Sequence, residues 1–139
     1  MDTSIFTNIN WLAVIVASIA YFALGALWYS FLFQKQWISG HNVDVKDPRL
    51  KEGVAVTMIS SFVLMLVTTI GLAILIVRLD LFLFASGIKL GLLTGIAFSA
   101  TAVSINYLYL KKPMQVHLID GSYHVAGQIL AAIILCLWR

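Results

Sequence analysis

The residues that could do chemistry stand together in HLIDGSYHVAGQ, residues 117–128. At roughly 100° per residue on a helix, His117, Asp120, His124 and Gln128 share one narrow face. Ala131 continues the stripe and Gly121 flanks it. The surrounding run is apolar, and ionisable groups inside a membrane-type segment are costly and mark function by default. Spacings of three and four would let the imidazoles of His117 and His124 converge with the Asp120 carboxylate on a metal ion. No HExxH or partner Glu-x-x-His accompanies them, and a full ligand count would need further donors. A His/Asp series in a span also suits a proton or substrate path. Haem would need two axial histidines facing each other, which one helix cannot supply, so a second copy would have to contribute. His41 lies in a loop and is no obvious partner. The fourth option involves no ligand. Asp120 near a helix N-terminus gains from the helix dipole, His117 and His124 each bond to it, and Asn106 joins from the preceding span.

These side chains need a scaffold, and composition names its solvent. The chain has 139 residues, 61% hydrophobic and 11% charged, where soluble domains run about 45–50% and about 25%. A chain this short cannot hide that excess in a core, so the lipid bilayer is the expected partner. Four runs reach the ~20 residues a bilayer demands: about 11–33, 54–77, 87–110 and 114–138. The expected fold is all-α, one integral membrane bundle of four transmembrane helices, up and down, with short loops. Asp2 and the absence of Lys or Arg before the first run argue for a retained span rather than a cleaved signal.

Each run has its own texture. Trp11, Val14, Ser18, Tyr21, Gly25 and Trp28 recur at steps of three and four, a packing seam on the first. The second carries Thr57, Ser60, Ser61, Thr68 and Thr69, hydroxyls that can bond back to their own helix. In the third, Gly87, Gly91, Gly95 and Ser99 form a small-residue ladder that admits another helix closely. The ladder does not say whether that helix belongs to the same chain, but it exceeds what one bundle contact requires and points to self-association or a larger membrane partner. The loop 34–53 has Trp37 as an interfacial anchor and Asp47-Pro48 as a turn or short helix start.

The net charge of +3 sits in short loops, which makes it a topology signal and not a nucleic-acid footprint. Lys35, Lys46, Arg49, Lys51, Lys111 and Lys112 fall at one end, Arg78, Lys89 and Arg139 at the other. The first end is therefore expected in the cytoplasm, with both termini outside. Cys136 is the single cysteine, so intrachain disulfides and cysteine metal clusters are excluded. Ser18 and Ser30 lack a GxSxG setting, and no phosphate-cradling glycine loop is present.

Several short words are shared with a known pattern. Asn10-Trp11-Leu12-Ala13-Val14 opens the first span and Gly25-Ala26-Leu27-Trp28-Tyr29-Ser30 closes it. Trp37, Asn106-Tyr107, Gly121, Tyr123 and His124 follow. Across essentially its whole length the chain resembles a family of small four-span bacterial membrane proteins catalogued as a domain of unknown function. In that pattern a proline often follows Trp-Tyr-Ser and an asparagine often stands at position 120; Phe31 and Asp120 depart from it here. The resemblance implies four spans and a bacterial inner membrane, and no mechanism.

Three functions remain open. The one asking least of the residues is a non-enzymatic structural or accessory subunit without cofactor, its ladder in an interface and its polar cluster closed. A small transporter or channel would instead line a wet cavity with Asn106, His117, Asp120, His124 and Gln128. A metal- or cofactor-dependent membrane enzyme would need an ion and another ligand.

Overall fold

The computed structural model describes residues 4–138; Asp2 and Arg139, used above for the N-terminal and topology expectations, lie outside the described residues. Among the described residues the chain is helical without strands. Four helices are long and apolar enough to cross a membrane: Trp11–Leu32, Val54–Arg78, Phe84–Tyr109 and Met114–Leu137, here the first to fourth spans. They agree with the sequence-based bounds within a few residues, because length and uninterrupted apolarity are what a bilayer selects.

The fourth span is the centre of the bundle. Half of its most apolar stretch is buried, 50%, against 28%, 22% and 22% for the others. The third span packs along one side of it, and the first and second pack on the other. The second and third spans, joined by the turn after Arg78, scarcely touch elsewhere. The exposed apolar residues, among them Val56, Leu64, Leu93 and Phe98, are spread over the outer faces as lipid contact requires.

The glycine ladder is filled from within. Gly87, Gly91 and Gly95 lie against the backbones of Ile133, Ile129 and Val125 of the fourth span. A Cβ on Gly91 would overlap that backbone, with Ile129 N at 2.6 Å. The ladder's partner is thus a helix of the same chain. On the first span the seam is buried at Val14, Ser18 and Tyr21 and half-buried at Gly25 and Trp28. Trp11 is 45% exposed and stacks on Phe6, with its Nε1 donating to Phe6 O.

Inside the loop 34–53 a short helix, Gln34–His41, folds back onto the bundle. It packs on the fourth span and on the end of the first. Gly40 lets it sit directly on the Val116 side chain, and Gln115 Nε2 donates to Gln36 O at 3.3 Å. Asn42 closes it in the left-handed region, φ 55°. The turn Pro48–Lys51 is capped by Asp47, which accepts from Arg49 N and its guanidinium. The guanidinium holds the Asp47 carboxyl below the usual carboxylate range.

Candidate functional site

Asp120 lies in the second turn of the fourth span and is 5% exposed. Tyr29 Oη donates to its Oδ1 at 2.7 Å and Tyr107 Oη to its Oδ2 at 2.6 Å. His41 Nε2 lies 3.1 Å from Oδ2. First span, third span and short helix therefore meet on one carboxylate. Two hydroxyls donate to the carboxylate, and the His41 imidazole stands within hydrogen-bond distance of it.

Each donor owes its position to local backbone. Tyr29 stands in the last turn of the first span, Trp28–Leu32, which widens to a π-helix. Beside it Trp28 Nε1 donates to Ile119 O at 3.1 Å. His41 ends the short helix one turn after Trp37, and the two rings are 4.6 Å apart. Lys112 Nζ donates to His41 O at 3.4 Å and holds the helix end down.

Tyr107 reaches the site because of a second π-turn, Gly95–Ala100. In a regular helix the residue about three turns, or ~11 residues, beyond Gly95 would face the fourth span, and that is Asn106. The widened turn inserts one residue, which rotates Tyr107 inward instead. Asn106 is exposed, and among the described residues it does not bond to the carboxylate.

The other sequence candidates are buried or half-buried on the fourth span, each with its own partner. His124 Nδ1 lies 2.8 Å from Tyr21 Oη. His117 Nε2 lies 3.3 Å from Lys112 O, one turn back. Gln128 Nε2 donates to Ser99 Oγ. The expected bonds from His117 and His124 to Asp120 are replaced by those of Tyr29, Tyr107 and His41. Among the described residues no three His, Cys, Asp or Glu side chains are grouped as a metal ion would need. No buried side-chain nitrogen or oxygen there lacks a partner. Tyr123, off the polar stripe, packs its ring on Tyr21, Trp28 and Tyr29 at 5.1–6.3 Å.

The aromatic rings form a collar around the carboxylate. Tyr29 and Trp37 are 5.8 Å apart, Trp37 and His41 4.6 Å, His41 and Tyr107 5.5 Å. Both ends of this arc bond Asp120. The collar borders a cleft of about 540 Å³ between the second and third spans, flanked at one end by the short helix. Asp120 and His124 are its floor; Thr57, Met58 and Ser61 line it from the second span, Val103 and Tyr107 from the third. A second compartment of about 400 Å³ runs on toward Phe22 and Met65, sharing Tyr29, Met58, Ser61 and His124. Volumes of this order suit a small organic ligand.

No curated protein and no solved structure matches the chain. A family model covers residues 12–136, nearly the whole length, including both ends of the cleft and every donor to Asp120. The chain belongs to that family, described as Protein of unknown function (DUF1761).

Proposed function

We propose that this small membrane protein binds a small organic molecule in the cleft between its second and third spans, as a carrier does, with Asp120 as the recognition group. The observation that carries this is the cleft itself. It reaches a nearly buried carboxylate and His124 at bilayer depth, where polar groups are expensive and mark function by default. The alternative of an accessory subunit drew on the glycine ladder as a seat for a second chain, and the fourth span occupies that seat. A metal-dependent enzyme has less support, since His117, Asp120 and His124 turn to separate partners. On the basic-loop bias, the end bearing the short helix lies in the cytoplasm of a bacterial cell, both termini lie outside, and the cleft opens inward.

A thermal-shift screen in mild detergent tests this. A ligand that binds only the folded state raises the melting temperature by mass action, about 2.7 kcal/mol of stabilisation at a hundredfold excess over Kd. Small amphipathic compounds of positive, negative and zero charge are screened against the native chain and Asp120→Asn. At least one class should stabilise the native chain and lose that effect in the variant. Shifts that are absent, or identical in both proteins, count against the cleft as a site.

A further inference from the structure

We infer that the ligand of this cleft is an organic monocation, an ammonium group carried on an apolar body; this rests on the cleft being a binding site. The lining has one carboxylate, Asp120, and no Lys or Arg. Lys112, which donates to His41 O, anchors the short helix and is not part of the lining. An anion entering would meet the Asp120 carboxylate first, and the basic group beside that carboxylate, His41 at 3.1 Å, already faces it and lies outside the lining. A neutral donor could make the hydrogen bond, as Tyr29 and Tyr107 do, but without the charge attraction that an ammonium group adds.

The carboxylate has room for one more donor. It offers about four acceptor positions, and three are filled: one on Oδ1 by Tyr29 and two on Oδ2 by Tyr107 and His41. An ammonium N–H would complete Oδ1. The walls that flank it are the rings of Tyr29, Trp37 and Tyr107. Aromatic faces attract a cation, and more strongly where water is scarce. Met58, Ile38 and Val103 then receive the apolar body. The cleft runs between two spans, so an amphiphile can lay that body along the lipid side while its charge rests on the floor. Each of these features alone is common; their convergence on one open acceptor position selects positive charge.

Three probes of one shape separate the possibilities: 2-phenylethylammonium, 2-phenylethanol and phenylacetate. Each is titrated at neutral pH into the full chain in detergent micelles, following the indole N–H resonance of Trp37. The ammonium should move that resonance with an apparent Kd at least about tenfold tighter than the alcohol, with phenylacetate weaker still. In Asp120→Asn the advantage of the ammonium over the alcohol should vanish. If the variant does not fold, the ratio of ammonium to alcohol on the native chain decides. An alcohol or carboxylate that binds as well as the ammonium overturns the cation preference and leaves the cleft as a ligand site. If none of the three moves Trp37, both the preference and the site fall.

Discussion

Gly91→Leu should leave no folded protein. The third span rests on the fourth through Gly87, Gly91 and Gly95, and what faces Gly91 is the Ile129 backbone and not a movable side chain. Adding one methyl group at that contact already forces the helices apart. Gly91→Ala should therefore cost about 2–3 kcal/mol, the usual penalty for overpacking a fixed site. A leucine cannot be accommodated without separating the two spans, which would also withdraw Tyr107 from Asp120. Reversible unfolding in mixed micelles reads the alanine variant, and the monodisperse fraction after purification reads the leucine variant. Gly71→Ala is the control. Nothing lies within 4 Å of its added carbon, so it should unfold with the native chain. Equal behaviour of Gly91→Ala and Gly71→Ala would mean that the third span is not seated on its glycines.

Asp120→Ala should be the most damaging change at the polar centre. It strands the hydroxyls of Tyr29 and Tyr107 and the imidazole of His41, three donors from three separate elements. At about 1 kcal/mol or more for each stranded donor, the loss should be about 2–4 kcal/mol, reduced where water in the cleft takes over. Asp120→Asn keeps the shape and one acceptor oxygen, and should lose about a third as much. Proteolysis between residues 42 and 53 should also quicken in the alanine variant, because the short helix loses the His41 contact. If both variants lose the same stability, negative charge holds the three elements together. If neither loses any, the network does not bear on the fold and the carboxylate is there for ligand alone.

The sequence made the four spans legible, since a run of apolar residues long enough to cross lipid has few other uses. The inward face of the fourth span was legible as well: His117, Asp120 and Gln128 recur at helical spacing and are buried. Their partners were harder to read. Tyr29 was legible as part of the word that closes the first span, one residue past the last position of the packing seam, Trp28. His41 sat in what read as a loop; the helix that carries it has no side-chain cap at its N-terminus and is held by docking on Val116. The signal available was the one-turn spacing of Trp37 and His41. Tyr107 was displaced by one position from the expected Asn106, because a π-turn has no sequence signature and moves every later residue around the helix. The ladder was plain, but spacing alone cannot tell an intrachain contact from one between chains.

The most direct measurement asks whether the cleft is open and wet in the bilayer. Ser61→Cys and Leu93→Cys are made separately in the full chain. Ser61 lines both compartments of the cleft, whereas Leu93 is 61% exposed on the lipid side of the third span. The native Cys136 is buried and stays silent. A charged thiol reagent needs the thiolate and therefore water. Applied to membranes open on both sides, it should modify Ser61→Cys at least about tenfold faster than Leu93→Cys, and a ligand in the cleft should slow it. Equal, slow modification of the two would mean that the second and third spans close on each other or on lipid, and would contradict a binding site at Asp120.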